Sequence, residues 1–221
     1  MAGALGDRLG RSFFAREVTE VARDLLGRIM VARSAAGDVA VRLTEVEAYA
    51  GTDDPASHAF RGRTPRTAVM FGPPGHLYTY FVYGMHWCAN VVTGPDGDAS
   101  AVLLRAGDVI AGRDLAGARR PAVTRPERLT RGPAGLATVL GLGRDASGAD
   151  LCGPEGRWEI RAGEAVPPER IASGPRVGVA AAGEVALRFW DTAAPSVSDY
   201  RVGGRLRRRP GGGPPAIRQN R

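Results

Sequence analysis

The chain has 221 residues, 43% of them apolar, enough for one substantial core and too apolar for a disordered segment. No run of eighteen apolar residues occurs and the opening Met1-Ala-Gly-Ala-Leu-Gly-Asp-Arg8 lacks the apolar stretch of a secretory signal, so a cytoplasmic protein without a membrane span is expected. The net charge is +7 and every basic residue is arginine, whose flat fork of donors suits phosphate; salt-sensitive attraction to nucleic acid is expected, with an inert basic surface as the plain alternative.

In chain order, Ser12 to Gly27 reads as one helix with Val18, Val21, Leu25 and Leu26 on a stripe and Gly27 as its stop. Ile29 to Ala32 reads as a strand. Val39 to Tyr49 reads as a second, where period two puts Glu45, Glu47 and Tyr49 on one face and Thr44, Val46 and Ala48 on the other. Gly51 to Pro74, rich in Gly, Pro, Asp, Arg and Thr, predicts a long structured loop, the kind that usually carries function.

His76 to Val92 contains two β-prone runs around one glycine, which predicts a hairpin. With a loop of Tyr83, Gly84 and Met85 and a left-handed residue at Gly84 or beside it, residue 82 pairs with 86, 80 with 88 and 78 with 90. Tyr78, Tyr80 and Asn90 then share a face, and Tyr83 sits at the tip. Ala101 to Ala106 reads as a strand ending near Arg105. After a Gly/Pro/Arg-rich connection, Pro133 opens a helix carrying Leu136, Val139 and Leu140. Arg157 to Ala162, Arg176 to Ala180 and Val185 to Trp190 read as short strands. Residues 203–221 read as a flexible basic tail behind a single domain of residues 1–202.

Cys88 and Cys152, distant in a chain without an export signal, are expected to be free thiols. His58, His76 and His86 show no zinc spacing, so no metal site is expected. What the chain does offer is a pair of carboxylates, Glu45 and Glu47, beside aromatic residues and a histidine. That grouping suits an enzyme that takes in a flat, electron-poor ring and hydrolyses a bond attached to it; with this charge, the ring is expected to be a nucleobase. Because there is no lysine, no internal ε-amino group can form a Schiff base with a sugar.

The string Glu45-Val-Glu-Ala-Tyr49, then Asp54-Pro-Ala-Ser-His58, Met70-Phe71, Pro74-Gly75, Leu77-Tyr78, Tyr80, Tyr83-Gly-Met85, Asn90 and Val102-Leu-Leu-Arg105 resembles the alkyladenine (3-methyladenine) DNA glycosylase family. Leu129-Thr-Arg-Gly-Pro133 and Pro175-Arg-Val-Gly-Val179 are similar too, so the resemblance runs over roughly residues 10 to 200. It implies an α+β, single-domain mixed α/β fold around a curved antiparallel sheet, with a protruding β-hairpin that enters the minor groove. It also implies hydrolysis of the N-glycosidic bond of alkylated purines in double-stranded DNA, without a cofactor. A monomer needing no protein partner is the simplest expectation for a protein that must scan a duplex.

By matching positions, Glu47 is the general base for water and Arg105 helps hold that water. Tyr49, His58 and Tyr80 line the pocket, Asn90 excludes the guanine amino group, and Tyr83 fills the gap in the duplex. The pattern departs from the family at His86, where an aromatic residue is common, and in a short 180–188 segment. Two other classes stay open: a non-enzymatic reader of damaged or single-stranded nucleic acid, and a hydrolase of free nucleosides.

Overall fold

The computed structural model describes residues 5–182 and 184–202. The expected basic tail, residues 203–221, lies outside them. The described chain is one mixed α/β domain built on an open eight-stranded antiparallel sheet. Its strands are β1 (Ile29–Ala32), β2 (Val39–Tyr49), β3 (Leu77–Val82), β4 (His86–Thr93), β5 (Ser100–Ala111), β6 (Trp158–Arg161), β7 (Ile171–Gly174) and β8 (Arg188–Asp191). The order is β3-β4-β5-β2-β1-β6, with β8 also on β2 and β7 outside it. Among the described residues four short helices accompany the sheet: α1 (Arg11–Phe14), α2 (Val18–Leu25), α3 (Arg113–Arg119) and α4 (Pro133–Val139). None of the described helices is long and apolar enough to cross a membrane.

β2 is the hub. One edge pairs along its length with β5, while the other is divided, residues 39–42 pairing with β1 and residues 45–47 with β8. The division coincides with irregular register around Leu43–Val46 opposite β5, a bulge of the kind that re-aims side chains beside active sites. β5 approaches closely there because residue 107 is glycine: a Cβ would meet Val41 Cγ1 at 2.4 Å and the Arg42 carbonyl oxygen at 2.5 Å. The apolar stripe of α2 (Val18, Val21, Leu25) and α4's Leu136 and Val139 join Leu43, Val46, Leu104 and Trp158 in the main core.

Four sequence expectations are corrected. The helix expected over residues 12–27 is two helices, because the Glu17 carboxylate caps α2 by accepting from the Thr19 and Glu20 amides at 2.8 and 3.1 Å. Glycine at 107 permits close packing rather than ending the strand, so β5 runs on to Ala111 and places Arg105 mid-strand. Residues 176–180 form no strand: Arg176 turns inward to a buried partner and Gly178 takes a left-handed φ of +75°. The connection after residue 106 also contains α3, which its Gly and Arg content obscured. The strands read at 157–162 and 185–190 occur as Trp158–Arg161 and Arg188–Asp191. The long 51–74 segment is irregular apart from two 3-10 turns, Gly51–Asp53 and Ala68–Phe71.

Candidate active site

The β3–β4 hairpin has the expected register, 78 with 90, 80 with 88 and 82 with 86. Alternation then stacks the Tyr78 and Tyr80 rings, with centroids 5.8 Å apart. His58, delivered by the loop after β2, stands edge-on to Tyr80 at 4.5 Å and bonds Tyr78 through Nδ1 and the phenol at 3.1 Å. Packing among these rings, then the nearby Arg66 cation, pushes the His58 imidazole down to about 4, although the residue keeps an exposed flank. Its ring is therefore neutral at ordinary pH.

These groups line one cavity of about 530 Å³, together with Tyr49, Tyr83, His86, Cys88, Asn90, Arg105 and the segment from Val177 to Ala181. Asn90 is held on the floor, its Nδ2 donating to the Tyr78 carbonyl at 3.3 Å. At the cavity's edge the hairpin turns through Tyr83 and Gly84, both left-handed at φ 52° and 67°, and Tyr83 is 81% exposed. A tyrosine in that conformation is strained, and such strain recurs at functional positions.

The two carboxylates of β2 point at the same guanidinium, as period two required. Arg105 Nε donates to Glu45 at 2.8 Å, and its Nη1 lies 3.3 Å from Glu47. Their remaining partners separate them. Glu45 also accepts from Arg188 Nε and Ser198 Oγ at 2.8 Å each and from the Ser198 amide at 2.6 Å, so it anchors the chain after β7. Glu47 accepts the Val177 amide on Oε1 at 2.7 Å and, among the described residues, only the Tyr49 hydroxyl on Oε2, at 2.9 Å. A carboxylate has about four lone-pair sites, which leaves one free on Oε2.

Glu47 has no exposed surface and does not itself line the cavity. It lies directly behind Tyr49, Arg105 and Val177, which do. Burial first, and then the Glu47 charge, hold the Tyr49 phenol well above its ordinary range, so it remains a protonated donor. Burial works against the Arg105 charge, but Glu47 and Glu45 outweigh it and raise the guanidinium's pKa. Two carboxylates thus face two guanidiniums, Arg105 and Arg188, in a layer beneath the ring-lined slot.

Sequence reading missed the clamp behind this layer. Arg176 forms a bidentate pair with Asp54, donates to the Ala48 carbonyl at 3.0 Å, and lays its guanidinium 4.6 Å from the Tyr49 ring centre. Because the next residue supplies the amide on Glu47, one buried ion pair fixes both the pocket wall and the carboxylate. The available signal was the Pro175-Arg-Val-Gly178 string, misread as a strand. Cys88, a buried free thiol facing Tyr80 across the hairpin, was likewise not anticipated as a lining residue.

Comparison with known proteins points to one family. The family model of methylpurine-DNA glycosylase matches residues 12–195. The chain belongs to the methylpurine-DNA glycosylase family. Membership implies a hydrolase acting on DNA. A Streptomyces avermitilis protein named "Putative 3-methyladenine DNA glycosylase" is 52% identical over 203 residues, covering 91% of this chain and 95% of that protein. Proteins of the same name from Burkholderia lata and Frankia casuarinae are 49% and 48% identical, covering 79% and 87% of this chain and 83% and 92% of their own. The glycosylase family match takes in the site residues from Glu45 to Arg188 and stops three residues short of Ser198.

Proposed function

We propose that this protein is a monofunctional DNA N-glycosylase of base-excision repair that extrudes alkylated purines from duplex DNA and hydrolyses their N-glycosidic bond. The intended substrate is 3-methyladenine, with 7-methylguanine, hypoxanthine and ethenoadenine as further bases to test. The observation that carries the reading is the ring-lined cavity backed by the Glu47–Arg105 layer, in a member of a DNA glycosylase family.

A glycosidic bond inside a stacked duplex is out of reach, so the nucleotide must leave the helix, and a side chain in the vacated space prolongs that state. Tyr83 at the exposed tip suits this role, with Phe81 and Met85 exposed beside it. In the slot, an alkylated purine carries positive charge that the faces of Tyr49 and Tyr80 attract, each by about 0.5–2 kcal/mol. That is too little to reject the excess of normal bases, so easier extrusion, leaving-group reactivity and exclusion of the guanine amino group by Asn90 supply the rest.

In the chemical step, water adds to the sugar C1′ as the C1′–N bond breaks, its electron pair leaving with the purine. Glu47 takes the water's proton and its charge stabilises the oxocarbenium-like sugar, while Arg105 holds carboxylate and water in register. The free lone pair on Oε2 is where water would approach. Its screening by the Tyr49 hydroxyl accords with unliganded enzymes, whose catalytic contacts reach reacting geometry with substrate bound. With no lysine in the chain, the abasic site is left without ε-amino lyase chemistry.

The test is base release from duplexes each carrying one defined lesion. Release of 3-methyladenine supports the reading. Activity confined to free nucleosides, or lesion binding without any base release, would replace it with one of the two other classes.

A further inference from the structure

A second cavity, of about 560 Å³, adjoins the ring-lined slot and shares Arg105 and Val177 with it. Its lining differs in kind. No aromatic residue contributes, and the wall gathers Arg105, Arg120, Arg125, Arg128, Arg131 and Arg201 against one acid, Asp199. The Arg131–Asp199 pair at 2.9 Å neutralises little, because the Asp199 side chain is 75% exposed. Arg120 is committed to holding the loop, donating to the Arg128 and Leu129 carbonyls at 3.1 and 2.6 Å.

Arg125, Arg128 and Arg201 make no ion pair among the described residues, and Arg131 Nε is buried without a hydrogen-bond partner. Like charges converging on a concavity raise each other's energy until an anion enters, and arginine forks match phosphate oxygens. A purine and the phosphates that flank it are separated by a single sugar. Two adjoining cavities that share Arg105 and Val177, one suited to a flat ring and one to anions, match the two parts of one nucleotide.

We propose that this basin seats the phosphates flanking the extruded nucleotide on the lesion strand, with Arg125 and Arg128 as its free cations; the proposal rests on the glycosylase reading. Both side chains are exposed, so Arg125→Ala and Arg128→Ala should leave the fold intact. Binding to a duplex carrying an abasic-site analogue is measured by fluorescence anisotropy while the phosphates around the analogue are replaced one at a time by neutral methylphosphonates.

The wild type should lose affinity at positions next to the analogue on its own strand. In the double variant those replacements should cost nothing further, and the slope of log affinity against log salt should fall by about 1 for each arginine removed. A double variant that responds to every replacement as the wild type does, or sensitivity confined to phosphates away from the analogue, overturns the basin. If the wild type releases bases under that outcome, the basin falls alone; if it neither releases bases nor prefers the analogue duplex, the glycosylase reading falls with it.

Discussion

The Tyr49 hydroxyl donates a 2.9 Å hydrogen bond to Oε2 of Glu47, joining the wall of the slot to the carboxylate behind it. Removing the hydroxyl while keeping the ring separates the two duties. Tyr49→Phe deletes a hydrogen bond to a charged group, worth about 1.5–3 kcal/mol, so single-turnover base release should slow by roughly tenfold or more. A rate equal to that of the wild type would show that the hydroxyl does not position Glu47.

The clamp behind the site makes a different demand. Asp54 and Arg176 are 5% and 1% exposed, and removing one partner of such a pair strands the other charge. Asp54→Ala should therefore lower the unfolding free energy by about 3–5 kcal/mol in urea titration. Because Arg176 also backs Tyr49, the purified variant should release bases more slowly even at temperatures where it remains folded. Loss of stability with the full rate retained would make the clamp purely structural.

His58 should be neutral throughout the working range, since packing and then Arg66 hold its pKa at about 4. It should add no inflection to base release between about pH 5 and 8. Arg66→Ala removes the neighbouring cation, so the pKa read from imidazole chemical shifts should rise toward 6.5. An unchanged pKa would leave the ring packing as its whole cause.

Glu159 gives the acid limb of stability. Burial alone would raise its pKa, but Arg33, Arg161 and Arg8 bring it down to about 2 from 4.5. The unfolded chain therefore binds this proton first as pH falls, so the contribution is complete above 4.5 and is lost between 4.5 and about 2. After allowance for the part-exposed arginines it is on the order of 2 kcal/mol. Wild-type stability should decline across that window, and Glu159→Gln should flatten the decline.

Much of this arrangement was legible in the chain because it depends on period two and on one turn. Those rules placed Glu45, Glu47 and Tyr49 on one face and fixed the hairpin register that stacks Tyr78 on Tyr80. Long-range choices were not legible. Nothing local to Pro175-Arg-Val-Gly178 says that Arg176 pairs with Asp54, over a hundred residues earlier, or that the Val177 amide meets Glu47. Glu17 is an unusual helix cap, and Gly107 looks like a turn until its close approach to Arg42 is seen. The preference for Glu47 over Glu45 came from resemblance; the structure adds that Glu45 takes four hydrogen bonds from Arg105, Arg188 and Ser198, whereas Glu47 meets three residues of the cavity wall, Tyr49, Arg105 and Val177.

The most direct measurement is single-turnover base release from a 3-methyladenine duplex by Glu47→Gln, with binding to the same duplex followed in parallel. The amide keeps shape and burial but cannot take the water's proton, so release should fall by at least about a hundredfold while binding persists. Release at the wild-type rate would contradict the assignment of Glu47 and the mechanism built on it.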